Sequence, residues 1–103
     1  MSLVTSIYSV TQAFPNSEMY GFTNQMRRSA ISIPSNIAEG YGRNATGDYK
    51  RFLQISVGSL FELQTQIEIA YNLNYLDSEI FSNLEANTKE LDRMLISLIK
   101  KIN

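Results

Sequence analysis

Five basic side chains, Arg27, Arg28, Arg43, Lys50 and Arg51, with Tyr41 and Tyr49 among the last three, have the types and spacing to do chemistry in this sequence. That chemistry would be phosphate recognition. A guanidinium presents a planar fork of N–H donors that matches a phosphate or a carboxylate, and a tyrosine ring can stack on a nucleobase. The same residues would serve equally as a solvated helix face, or as arginines tied to carboxylates across a subunit contact. Adjacent residues on a helix point about 100° apart. Arg27 and Arg28 therefore serve different directions, and one of them is expected inward or at an interface.

Asn36 and Glu39 stand three apart, on one face of a helix. They could line a site. As a structural polar network they would satisfy each other, the Ala30 carbonyl that Pro34 leaves without a donor, or an arginine among Arg27, Arg28 and Arg43, because a buried carboxylate needs such a partner. Gly40-Tyr41-Gly42 lacks the third glycine, the preceding strand and the following Lys-Ser/Thr of a phosphate loop, and is better read as a helix end. Glu39, Glu62 and Glu68 could suggest a di-iron bundle, but those sites use Glu-x-x-His pairs and the chain has no histidine.

The absence of both histidine and cysteine is the sharpest exclusion. Ordinary zinc sites need one or the other, and thiol catalysis, Ser-His relays and disulfides are impossible without them. With no nucleophile–base pair, metal set or cofactor fingerprint, the chain is expected to be no enzyme, with no cofactor, no metal and no catalytic residues. It is 103 residues long and carries a net charge of −1. That is one domain, 1–103, small enough that association with copies of itself would relieve its marginal surface-to-volume ratio. Residues 1–61 hold those five basic groups against Glu18, Glu39 and Asp48, whereas 62–103 are acidic on balance. The total offers no large pull on nucleic acid, although a basic patch remains open. No apolar run approaches the roughly 18 residues of a membrane span, so no membrane contact is expected. No secretion leader is visible, and Met1-Ser2 reads as a cloning remnant; a reducing cytoplasm is the expected location.

Apolar spacing is helical almost throughout. Leu3, Ile7, Val10 and Phe14 mark a first helix over about 3–13, ended by Phe14-Pro15. Phe22, Met26, Ala30, Ile33 and Ile37 mark a second over about 18–43, capped by Asn16 or Ser17, unless Gly21 is a turn and the helix starts near Phe22. Pro34 sits inside this pattern without changing its register, which predicts one kinked helix rather than two. Leu53, Ser56, Leu60, Leu63, Ile67 and Ala70 mark a third over about 47–74, with an apolar face wider than one stripe; Phe81, Leu84, Thr88, Leu91, Leu95, Leu98 and Ile102 mark a fourth over about 77–102, capped by Asp77 or Ser78. Gly58-Ser59 in the third helix predicts close approach to the small-residue-rich second, since Gly58 costs roughly 1 kcal/mol against alanine. The pattern is all-α, an antiparallel up-down-up-down four-helix bundle.

Several phrases together carry a family resemblance: Phe14-Pro15 with Glu18-Met19-Tyr20-Gly21, Gln25-Met26-Arg27-Arg28-Ser29-Ala30, Ser32-Ile33-Pro34-Ser35-Asn36-Ile37-Ala38-Glu39-Gly40, and Gly58-Ser59-Leu60-Phe61-Glu62-Leu63. On these the chain resembles the bacterial four-helix-bundle family first named for a protein encoded in an intervening sequence of large-subunit ribosomal RNA genes. The resemblance runs from Leu3 to the end of the third helix, with the fourth agreeing in pattern. It implies a left-handed antiparallel bundle and a first helix shorter than usual. It also implies kinship with the accessory protein of diversity-generating retroelements, a five-fold ring whose basic surfaces bind nucleic acid. The expected function is a non-enzymatic interaction protein that assembles as a homo-oligomer, a pentamer by this analogy. The alternative is RNA or DNA binding through Arg27, Arg28, Arg43, Lys50, Arg51, Tyr41 and Tyr49.

Overall fold

The computed structural model describes residues 2–102, so Met1, half of the Met1-Ser2 pair read above as a remnant, and Asn103 lie outside it. Regular structure among the described residues is helical: α1 (Ser2–Thr11), a 3₁₀ turn (Asn16–Glu18), α2 (Phe22–Tyr41), α3 (Thr46–Asn72) and α4 (Ser78–Lys101). Each helix packs on its successor and α1 also meets α4. Short links make neighbours antiparallel, giving a four-helix bundle 43 Å long. Its core is Leu3, Ile7 and Phe14 from the first segment, Met26, Ala30 and Ile33 from α2, Leu53, Leu60, Leu63, Ile67 and Ala70 from α3, and Leu84 and Leu95 from α4, with Leu76 closing one end.

The segment ends follow local chemistry. The second helix does not start at 18: Pro15 leads into the 3₁₀ turn, and α2 begins after Gly21, without a side-chain cap from Asn16 or Ser17. Past that point the helix runs unbroken through Pro34, because apolar packing on the same face continues on both sides of it. At the end of α3, Asn74 takes a positive φ of 65°. Tyr75 N–H donates to the Ala70 carbonyl at 2.9 Å and Asn74 N–H to that of Tyr71 at 3.0 Å, the bond pair of a Schellman stop. Asp77 then caps α4 by accepting from Ile80 N–H at 2.8 Å.

One glycine reading needs correction. Gly58 does not set the α2–α3 approach: a Cβ there would meet nothing within 4 Å. The Gly40-Tyr41-Gly42 helix end stands, with α2 closing at Tyr41 and Gly42 as its C-cap, and Gly40 has a second role. It is the close-approach residue, since a Cβ on it would lie 2.7 Å from Phe52 Cβ and 3.1 Å from Tyr49 Cδ1. The reason is rotational: Gly58 lies on the outside of α3, while Gly40 faces the start of that helix.

Candidate functional site

The basic residues separate into three settings. Arg27 is structural. Its Nε donates to Thr11 Oγ1 at 2.8 Å, a terminal nitrogen reaches the Tyr8 carbonyl at 3.5 Å, and the guanidinium lies 4.7 Å from the Tyr8 ring centroid. Thr11 is itself buried and donates to the Ile7 carbonyl at 2.7 Å. This chain of bonds ties α1 to α2 and engages the Arg27 guanidinium through two of its five N–H donors and its face.

Arg28 faces outward, beside a hydroxyl-rich notch of about 320 Å³ between α2 and α3, lined also by Gln25, Ser29, Ser32, Ser59 and Glu62. Hydrogen bonds across this seam hold the two helices in register. Ser29 Oγ donates to Glu62 Oε1 at 2.6 Å, the Ser32 and Ser59 hydroxyls pair at 2.9 Å, and buried Ser56 donates to the Ile33 carbonyl at 2.9 Å. Asn36 joins the seam, its Nδ2 donating to the Ser32 carbonyl at 2.8 Å and to Ser32 Oγ at 2.9 Å. Its expected partner Glu39 is elsewhere: it pairs with Arg43 at 3.6 Å on the surface. Asn36 and Glu39 thus belong to two arrangements instead of one: Asn36 reaches back to Ser32 at the seam, and Glu39 reaches Arg43, just past the end of α2.

The third setting is the end of the bundle where α2 turns into α3. Here Arg43 and Arg51 flank Phe52, Tyr41 meets Tyr49, and Lys50 lies near the start of α3. The Arg43 and Arg51 guanidinium carbons lie 5.1 and 4.7 Å from the Phe52 ring centroid. Tyr41 meets Tyr49 edge-on at 6.1 Å between centroids, and Tyr41 is 78% exposed. Arg51 also approaches Asp48 at 4.0 Å. Both ion pairs are half in solvent and add little to stability. The antiparallel topology brings Lys100 and Lys101, at the end of α4, to this same end. By contrast Arg27 and Arg28 lie about 24 Å up α2 at about 1.5 Å per residue, so the five basic side chains do not form one patch. Phe52, Lys100 and Lys101 were missed as members of the group. The lysines lie far away in sequence, and Phe52 is one more apolar residue on the wide face of the third helix.

The opposite end is acidic. Glu18, Asp77 and Glu79 gather there, and the nearby stretches 12–26 and 72–88 contain no Lys or Arg. Tyr75 Oη donates to Glu18 Oε2 at 2.8 Å, and the Tyr75 ring packs on Phe14 and Phe22. The hydrogen bond to Glu18 first, then partial burial, then the Glu18 charge push the Tyr75 hydroxyl above its usual value. Among the described residues no group of three or more acidic side chains is placed to hold a metal ion.

A polar-seamed antiparallel bundle with one basic and one acidic end, each carrying packed aromatic rings, defines an all-α class of small proteins. Within that class the chain belongs to the family described as the 23S rRNA-intervening sequence protein, whose profile it matches over residues 1–97. Among solved structures it is similar to a protein of unknown function from the S23 ribosomal protein family of Bacteroides thetaiotaomicron. That likeness has a TM-score of 0.88 at 23% identity and covers 96% of this chain and 89% of that one. At this identity it speaks for the fold alone. No curated protein matches. No helix among the described residues is long and apolar enough to cross a membrane.

Proposed function

We propose that this chain is a non-enzymatic interaction protein of the cytoplasm that works as a homo-oligomer. The observation that carries this reading is apolar surface left over after the bundle has closed. Phe61 and Leu73 are each 49% exposed, Met94 is 60% exposed, and Ile31, Ile55 and Ile69 each keep about two-fifths of their surface in solvent. Apolar side chains at this density on a small bundle favour covering by another protein surface, and a chain this short gains stability from doing so. The family resemblance adds a five-fold ring as the expected form. Light scattering over a concentration series tests the reading: a mass several times that of the chain supports it, and a monomer at high concentration removes it.

A second reading, RNA or DNA binding, has its own observation in the aromatic and basic end of the bundle. Arg43, Arg51, Lys50, Lys100 and Lys101 could meet phosphates, with Tyr41 free to stack. Glu39 and Asp48 offset part of that charge. A salt titration decides this reading. Binding that falls steeply between about 50 and 200 mM salt is its signature, and no binding to generic RNA or duplex DNA at about 50 mM salt rejects it.

A further inference from the structure

The groove between α3 and α4 is a cleft of about 430 Å³ with a mixed lining. Phe61, Phe81 and Ile67 form apolar walls; Glu68, Glu85 and Asp92 bring three carboxylates. One cation, Lys89, lines the same cleft and pairs with Glu85 at 3.9 Å. Glu68 has no ion pair among the described residues, and the three carboxylates are not placed to hold a metal ion. A cleft that is greasy on its sides and net negative suits the side chain of an arginine, with its apolar stem and charged fork.

The chain presents such a group on another side of the bundle, beside the α2–α3 notch. Arg28 and Ile31 stand three apart on the outer ridge of α2, both exposed. Arg27, Arg43 and Arg51 already lie over rings of their own chain, whereas Arg28 has neither an ion pair nor a ring contact among the described residues. Position along the bundle agrees as well. The start of α2, the end of α3 and the start of α4 lie at the same end. At about 1.5 Å per residue, Arg28 is about 9 Å from that end, between Glu68 at about 6 Å and Glu85 at about 10 Å. Ile31 is at about 14 Å, close to Phe61 at about 16 Å.

Resting on the proposed self-association, we propose that the contact between copies seats the Arg28–Ile31 ridge of one chain in the α3–α4 cleft of the next. Arg28 meets Glu68, and Ile31 packs against Phe61. The two surfaces differ and lie on different sides of the bundle, so the contact is heterologous. Because ridge and cleft share one height, successive copies stand side by side without axial offset. Without axial climb, such a contact gives a ring where the rotation between copies closes. A like-sized dry interface would bury the exposed Phe61 and Ile31 and leave the basic end of each bundle free.

Charge exchange tests the contact. Wild type, R28E, E68R and the double variant R28E/E68R are compared by light scattering, with circular dichroism to check that each is folded. The contact predicts that each single variant weakens assembly at least tenfold and that the double variant regains most of it. Folded single variants that keep the wild-type mass overturn the contact while leaving self-association in place. Loss in the singles without recovery in the double also overturns the Arg28–Glu68 pairing. A wild-type monomer overturns both the contact and the function it rests on.

Discussion

Two glycines in neighbouring helices have opposite meanings. Gly40 leaves room for Phe52 and Tyr49, where a Cβ would come within 2.7 Å of another Cβ. Gly40→Ala should therefore destabilise the fold by about 1–3 kcal/mol through forced displacement of the α3 start. Gly58 faces open space, so Gly58→Ala should gain up to about 1 kcal/mol from helix propensity. Denaturant unfolding of the pair measures both signs in one experiment; equal effects would contradict this assignment. Asn74 makes a third residue-scale case, since its φ of 65° suits glycine and tolerates asparagine. Asn74→Gly should leave midpoint stability equal or higher, while Asn74→Val should lower it by about 1–2 kcal/mol. Thermal melts that rank valine above glycine would show that the Schellman stop does not hold this turn.

At the scale of elements, α2 and α3 are locked by hydroxyls and α1 by an arginine. The Ser32–Ser59, Ser29–Glu62 and Ser56–Ile33 bonds need both helices at one rotation and one height, so they specify register where apolar packing alone would permit sliding. Their helical spacing was visible as a run of small residues; their partners were not, because they lie 23 to 33 positions away. At the acidic end, the link between the 3₁₀ turn and the α3–α4 turn is the Tyr75–Glu18 hydrogen bond. A raised tyrosine pKa means that the native state holds its proton where the unfolded chain, titrating near 10, has lost it. The bond is fully present at neutral pH, and stability should fall as pH rises above about 10 toward the native value. Tyr75→Phe should flatten that alkaline decline. A pH series of unfolding midpoints in which both proteins decline alike would remove Tyr75 from the account.

At the scale of the molecule, the bundle is polar along its axis, with Glu18, Asp77 and Glu79 at one end and Arg43, Lys50, Arg51, Lys100 and Lys101 at the other. Its long sides carry the unspent apolar surface. Assembly through those sides makes folding stability depend on chain concentration. The melting temperature should rise by several degrees for each tenfold increase in protein, and a melting temperature independent of concentration across a hundredfold range would argue for an isolated fold. The basic end stays exposed in such an assembly, which leaves phosphate binding open as a separate activity with its own salt signature.

The sequence by itself determined the four helices, their antiparallel order and most of the core, because each of those depends on the 3.6-residue period and on breakers such as Phe14-Pro15 and Asn74. It also placed the chain in its family through the Ser32–Gly40 phrase. The tertiary structure alone decided which glycine marks close approach, and that Arg27 is bound to Thr11 while Arg28 is free. It alone set Phe61 beside Glu68 in a cleft. A helical period reports which face of a segment is apolar but not the rotation at which that face meets its neighbour, and side chains distant in sequence acquire their partners only when that rotation is set.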